Sequence, residues 1–590
     1  MSTYTPPLQD STFVLDQLIG LDQLCQDLNL DEVNSDLAGV VIEEAGKLAA
    51  DVLAPLNIVG DHNGPKVSDG KVLETAGFAD AYQQFVENGW ATLTGPEAFG
   101  GQALPNVLGT AVNEMWHSAN MAFGLCPLLS QGSVEALIAH GSDTLQQQYL
   151  PHLISGEWTG TMNLTEPNAG SDLAAVAAKA VRDGDHYKIS GQKIFITWGD
   201  HQMASNIVHL VLARLPDAPA GVKGISLFVV PKFQLDEQGQ PGDQNDVCCI
   251  SLEHKLGIHG SPTCVMSFGD NGGATGYLVG EENKGLNYMF TMMNHARQSV
   301  GLQGLSISER AYQQALQYSQ ERFQGSNPDG SKAAIINHPD VRRMLMAMKS
   351  GNEAMRALAL SAAADIDRAH HGDAESKKRV EFYTPIVKGW MTELAQELTS
   401  LNIQVHGGMG FIEETGAAQH YRDARILPIY EGTTGIQALD LIGRKTLFDK
   451  GAALTQLQTD IQETVELLNS AKNAQLNALG SKLGKALSKS QTASQWLLEN
   501  AASDKQLMGN VSVDNLMMMG YLTGGWLIAK SALLADQLSS EENNYGSPFL
   551  NAKVATADFF ADHYLPRVGL HAETILSGLK STFAIDIDQL

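Results

Sequence analysis

A chain of 590 residues with 43% hydrophobic and 18% charged side chains has the make-up of a globular protein of roughly three or four domains. Its 66 acidic residues outnumber the 39 basic ones, and the formal charge of −27 repels nucleic acid and anionic lipid as bulk partners. An anionic small ligand would then depend on a few locally placed cations or backbone N–H groups.

The amino-terminal stretch MSTYTPPLQDSTFVLDQL has neither a basic n-region nor an apolar h-region, so it does not read as a secretory signal. Residues 1–158 read as a helical domain. DLAGVVIEEAGKLAADVLAPLN carries apolar residues at helical spacing, and SVEALIAHGSDTLQQQYLPHL reads as a helix pair broken at Gly-Ser-Asp. The glycine-rich patch Gly95 to Gly109 reads as a loop. The pattern changes at 159–281. Short β-rich runs bounded by Gly, Pro or Asp, with no helices between them, predict a middle antiparallel β-barrel. Residues 282–449 contain long amphipathic segments of the kind that make a four-helix bundle, and 450–590 read as an additional helical domain. The fold class is therefore α+β. The longest apolar stretch, Leu516 to Ala529, is broken by glycines and too short to span a bilayer, so no membrane span is expected. Five cysteines without CxxC or metal-like spacing to histidine fit a reducing cytoplasm and predict no metal site.

There is no GxGxxG, Walker A, GxSxG or HExxH. Three segments carry chemistry instead. In Met162-Asn163-Leu164-Thr165-Glu166-Pro167-Asn168-Ala169-Gly170-Ser171-Asp172 a strand ends in a small-residue turn rich in N–H groups and hydroxyls. Such a turn can hold a carbonyl-rich ring or a phosphate, although alone it reads as a tight loop. Lys193-Ile194-Phe195-Ile196-Thr197 sets an aromatic beside a hydroxyl, suited to a flat heteroaromatic ligand and equally to a core strand. Gln404-Val405-His406-Gly407-Gly408-Met409-Gly410-Phe411 is too glycine-rich to continue a helix and suits close backbone approach to a ligand, or a bare helix cap. Shortly beyond it, Glu431 sits between an apolar Ile-Pro-Ile-Tyr run and a Gly-Thr-Thr turn. That setting should desolvate its carboxylate and raise its pKa towards that of a general base.

Together, TEPNAGSD at 165–172, FIT at 195–197, ERFQG at 321–325, QVHGGMGF at 404–411, YRDAR at 421–425 and IYEGTTGIQ at 429–437 resemble the acyl-CoA dehydrogenase family. The resemblance covers residues 35–448. The added segment after 450 is similar to the longer bacterial branch, which includes enzymes acting on long-chain acyl-CoA and on 3-methylmercaptopropionyl-CoA.

The resemblance implies FAD as cofactor, with Met162, Leu164, Thr165, Phe195 and Thr197 lining the flavin ring. It implies that Arg322 and Gln324 reach the pyrophosphate or adenosine across a subunit interface, and that Gln404, Gly408 and Thr433 also meet the cofactor. Ser171, Asn294, Arg297 and Gly432 would contact the acyl-CoA, and Glu431 would remove its α-proton as the β-hydride passes to flavin N5. Gly435 and Pro339 depart from the family's pattern and weaken single FAD contacts. A medium- or long-chain substrate, an electron-transfer flavoprotein as acceptor and a homodimer or homotetramer are further implications. An oxidase passing electrons to oxygen and a DNA-binding relative are the competing readings. The latter wants a basic C-terminal domain, whereas residues 451–590 hold 9 Lys/Arg against 14 Asp/Glu.

Overall fold

The computed structural model describes residues 3–501 and 504–590. Met1 and Ser2, at the head of the amino-terminal stretch, and Ala502 and Ser503 lie outside the described residues. The chain forms two compact units, one from Met1–Gly46, Pro105–Ser118 and Val300–Leu590, the other from Lys47–Leu104 and Ala119–Ser299.

The second unit is built on an eight-stranded sheet. Its strands are β1 (Trp158–Asn163), β2 (Lys179–Asp183), β3 (His186–Thr197), β4 (Asn206–Arg214), β5 (Ile225–Pro231), β6 (Val247–Leu252), β7 (Thr263–Phe268) and β8 (Ala274–Val279). They are ordered β6-β7-β3-β8-β5-β4-β1, with β2 pairing both β3 and β4. Along β4 and β5 alternate side chains enter two different cores. Leu210, Leu212, Leu227 and Val229 join one, and Val211, Ala213, Phe228 and Val230 the other. A strand covered on both faces becomes a continuous apolar run. The sheet is not wholly antiparallel, because β1 runs parallel to β4 and β2 touches β4 in parallel at Lys179 and Arg214. The β2–β3 hairpin lies between β1 and β4 and carries the chain back, so both strands start from the same end. The helix Met121–His140 in this unit is long and apolar enough to cross a membrane, yet 83% of its most apolar window is buried in the protein.

The helical unit contains α1 (Asn106–Ala119), the later part of α2 (Gly285–Glu321), α3 (Pro339–His370), α4 (Ala374–His406), α5 (Thr434–Leu439), α6 (Lys505–Leu538), α7 (Ser547–His563) and α8 (Pro566–Ser577). The glycine-rich patch is a loop only as far as Pro105, and Gly109 is already helical. The reason is a distant cap. The Asp367 carboxylate accepts from the N–H groups of Asn106 (2.6 Å) and Val107 (2.9 Å), satisfying donors that the local sequence leaves open.

A buried ionic cluster joins the elements of this unit. Arg356 of α3 donates to Glu114 of α1 (3.0 Å from Nε) and to Glu309 of α2 (3.1 Å). Lys553 of α7, 4% exposed, donates to Glu353 of α3 (3.1 Å) and to Asp10. The segment after 450 is thereby wired into the same interior as the bundle.

His201 and, on β4, His209 are fully buried, and burial, with the nearby charge of Lys232, pushes both pKa values down to about 3. Between their usual pKa near 6.5 and about 3, the unfolded chain binds protons that the fold refuses, so stability must fall as pH falls. His201→Gln is expected to reduce the slope of unfolding free energy against pH by about 1.4 kcal/mol per pH unit in that window. Denaturant unfolding at a series of pH values checks this, and an unchanged slope would refute it.

Candidate active site

Glu431 lies in the turn that joins the buried Leu427-Pro428 pair to α5. Its backbone is left-handed (φ 55°), as is that of Gly432 (φ 86°). For a residue with a Cβ this conformation costs about 1–2 kcal/mol and persists only where neighbours enforce it. Here they do. Gln437 Nε2 donates to the Glu431 carbonyl (3.1 Å), and Nζ of fully buried Lys388, on α4, donates to the Gly432 carbonyl (2.6 Å). The Thr434 hydroxyl donates to Glu393 of α4 (2.6 Å), and the Thr434 N–H to the Pro428 carbonyl (3.1 Å). Thr433 is exposed and caps α5, its hydroxyl accepting from the Ile436 N–H at 3.3 Å. Glu431 itself is half-buried. The adjoining Tyr430 hydroxyl donates to Gln303, and its phenol pKa is pushed up by burial and then by the charge of Glu431.

In the same unit α4 ends at His406, which stacks on Tyr318 with ring centroids 4.2 Å apart. Gly407 takes the left-handed cap, and the close approach within the cluster is made by Gly410, where a Cβ would lie 2.3 Å from the Ile403 carbonyl. Gln404 and Gly408 are exposed, and space around the Gly408 Cα is open. Arg322 and Gln324 are exposed at a short hairpin (Phe323–Ser326 with Lys332–Ala334). That hairpin is tied down by His338 Nε2 against the Gln324 carbonyl (2.7 Å).

The β unit brings the other two motifs side by side. The Ile194 N–H donates to the Thr165 carbonyl (2.9 Å). Between Lys193, opposite Met266, and Ile196, opposite Cys264, β3 holds one residue more than β7, a β-bulge. Phe195 sits in that bulge with φ 60° and is 57% exposed, so its ring is turned out of the sheet. Half-buried Met162, Thr165 and Thr197 and buried Leu164 belong to the same two segments.

Sequence reasoning missed what fastens these segments together. Fully buried Lys193 donates to Glu166 (2.7 Å) and to the Leu164 carbonyl (3.0 Å), and Glu166 also accepts from the Ala177 and Ala178 N–H groups. Burial pulls the Lys193 ammonium down to about 8 despite its partner. The available signal was a charged residue inside each of two otherwise uncharged runs. Elsewhere in this unit Ser171 is exposed. Asn294 is exposed and accepts from Arg297 (3.3 Å), which is 4% exposed and stands over Phe290. Met289 and Met292 are fully buried core residues.

Family models match 58–157, 161–271 and 283–447 as the acyl-CoA dehydrogenase N-terminal, middle and C-terminal domains, and 457–586 as "acetyl-CoA dehydrogenase C-terminal like". The chain is 48% identical to a 3-methylmercaptopropionyl-CoA dehydrogenase of Ruegeria pomeroyi over 95% of its own length and 96% of that protein's. The chain belongs to the acyl-CoA dehydrogenase family. It is an FAD-dependent oxidoreductase acting on acyl-CoA. Two solved structures share its fold. Caenorhabditis elegans ACDH-11 in complex with C11-CoA is 20% identical with a TM-score of 0.78, covering 96% of this chain and 93% of that one. A Bacillus anthracis acyl-CoA dehydrogenase complexed with FAD is 21% identical with a TM-score of 0.75, covering 92% and 89%. The residues present fit the cofactor, since the outward Phe195 ring supplies a stacking face and Thr165 and Thr197 supply hydroxyls beside it.

Two substitutions test the turn. Lys388→Met leaves the Gly432 carbonyl without its buried donor and is expected to cost about 1–3 kcal/mol, read by denaturant unfolding. Glu431→Gly removes the penalised side chain from a left-handed position and is expected to unfold no sooner than the parent chain. A clear loss of stability in the glycine variant would show that the turn is not strained.

Proposed function

We propose that the chain removes the α-proton and β-hydride of an acyl-CoA thioester to leave a trans-2-enoyl-CoA, with Glu431 as the base. The observation that carries this reading is a half-buried carboxylate held on a left-handed backbone by Gln437 and Lys388. Strain of this kind concentrates where geometry serves chemistry. A thioester α-proton is very weakly acidic, so the carboxylate needs help from donors at the thioester oxygen, where enolate charge develops. The Glu431 N–H is the chain's own candidate for that role. FAD, when bound, supplies the hydride acceptor at N5. Met162, Leu164, Thr165, Phe195 and Thr197 orient its ring, with Arg322, Gln324, Gln404, Gly408 and Thr433 serving its remainder. Ser171, Asn294, Arg297 and Gly432 serve the substrate.

The fourfold division at 158, 281 and 449 is the domain organisation we favour, and it is supported by the boundaries of the four family matches. For the acyl group, the 48% identity to an enzyme named for 3-methylmercaptopropionyl-CoA favours a short, thioether-bearing chain over the medium or long chain that the motifs alone suggest. We take electron-transfer flavoprotein as the acceptor. We also take a homodimer as the working form, with exposed Phe323 and Phe411 close in sequence to the proposed FAD contacts of their motifs.

Glu431→Gln should fold and bind FAD but fail to bleach with acyl-CoA under anaerobic conditions. Bleaching at the parent rate would remove Glu431 from the mechanism. Across an acyl-CoA series the parent enzyme should bleach fastest with 3-methylmercaptopropionyl-CoA, and a maximum at long chains would overturn the substrate assignment. Stoichiometric peroxide during turnover in air would identify an oxidase instead.

A further inference from the structure

The β unit contains a polar cavity, of about 120 Å³, lined among others by Asp200, His209, Lys232, Cys248 and Cys249. It has room for small polar molecules. Its floor holds an unsatisfied group. His209 is fully buried, its Nδ1 is hydrogen-bonded to Thr161 (2.7 Å), and its Nε2 has no partner. Lys232 stands in the same wall, bound to Asp200 at 2.6 Å.

Cys249 is 7% exposed, lines the cavity and donates its thiol to the Ser251 carbonyl (3.3 Å), while Cys264 is fully buried in the same core on the neighbouring strand. Cys249 opposes Met266 across the β6–β7 ladder, and Cys264 lies two residues from Met266 on the same face of β7. A bulge at Ile250 shifts the register between them. Beside Cys264 the Cys249 ionisation is shifted downward, while burial pushes that of Cys264 upward. One thiol is thus disposed to attack and the other to remain protonated until needed.

We propose that Cys249 and Cys264 form a peroxide-reactive dithiol whose oxidant enters through this cavity. The Cys249 thiolate attacks one oxygen of hydrogen peroxide. The O–O bond breaks, an S–O bond forms, and the departing hydroxide takes the proton that the Cys249 thiol gave up on ionising, becoming water. The Cys264 sulfur then attacks the sulfur of the Cys249 sulfenic acid. The S–S bond forms, the S–O bond breaks, and the released hydroxide takes the Cys264 proton. Two thiols and one peroxide become one disulfide and two waters, with the sulfurs oxidised by two electrons in all and the peroxide reduced by two. Cys264 opposes Ile196, the residue between Phe195 and Thr197, so the bond would brace the strand behind the proposed flavin wall.

The test treats the FAD-loaded enzyme with a small molar excess of hydrogen peroxide, then blocks remaining thiols under denaturing conditions for peptide mass spectrometry. The expected result is the loss of two alkylatable thiols of the five, and a linked peptide pair containing Cys249 and Cys264. Cys248→Ser should behave as the parent. Cys264→Ser should yield no link and a Cys249 sulfenate trapped by dimedone. Five intact thiols, oxidation confined to exposed Cys248, or a link between Cys248 and Cys249 would each overturn the proposal. Because the readout is thiol content, failure here leaves the dehydrogenase reading untouched.

Discussion

The hydrogen bond from Lys388 to the Gly432 carbonyl sets the geometry on which the rest of the Glu431 turn depends. A left-handed residue followed by a left-handed glycine has no local reason to persist, because its strain must be offset by contacts from elsewhere in the fold. Those contacts come from α4 and α5, so the position of the carboxylate is only as definite as the position of α4. That helix is held in turn by the segment after 450. Trp390 of α4 lies against Gly520 and Gly524 of α6, where a Cβ would come within 2.1 Å and 2.6 Å of the indole. Arg567 of α8 bonds Glu397 of α4 through both guanidinium amines, at 2.6 and 2.8 Å. The carboxy-terminal helices therefore act on the turn through packing, without approaching it with chemistry of their own.

The β unit solves a related problem by different means. Turning an aromatic ring out of a sheet costs a register shift and a left-handed residue, and both occur at Phe195. The segment facing it is a small-residue turn with little packing of its own. The buried Lys193–Glu166 pair fastens the two together, and Glu166 spends its remaining acceptor capacity on the Ala177 and Ala178 N–H groups. A buried ion pair contributes little net stability against an apolar alternative, but it is satisfied in one geometry only. Specific geometry is what a ligand wall needs.

Much of this was legible in the residues. The alternation of helical and β-rich segments, the turn after Thr165 and the stop at Gly407 follow from local propensity and periodicity, which depend on neighbours in the chain, whereas the exposure of Phe195 depends on a bulge that its own strand does not announce. The parallel pairing of β1 with β4 was not legible, because the direction of a strand's partner depends on where an intervening hairpin returns the chain. The early start of α1 was hidden for a similar reason, since its cap, Asp367, is remote in sequence.

Residue types and spacing were enough to name the carboxylate, the aromatic and the hydroxyls, since those depend on chemistry carried by each side chain. They could not say that Glu431 is left-handed, that Lys388 holds the next carbonyl, or that Lys193 and Glu166 meet in the interior. Those facts belong to groups far apart in the chain. Desolvation and hydrogen bonding act through space, so they come into being only when the elements pack.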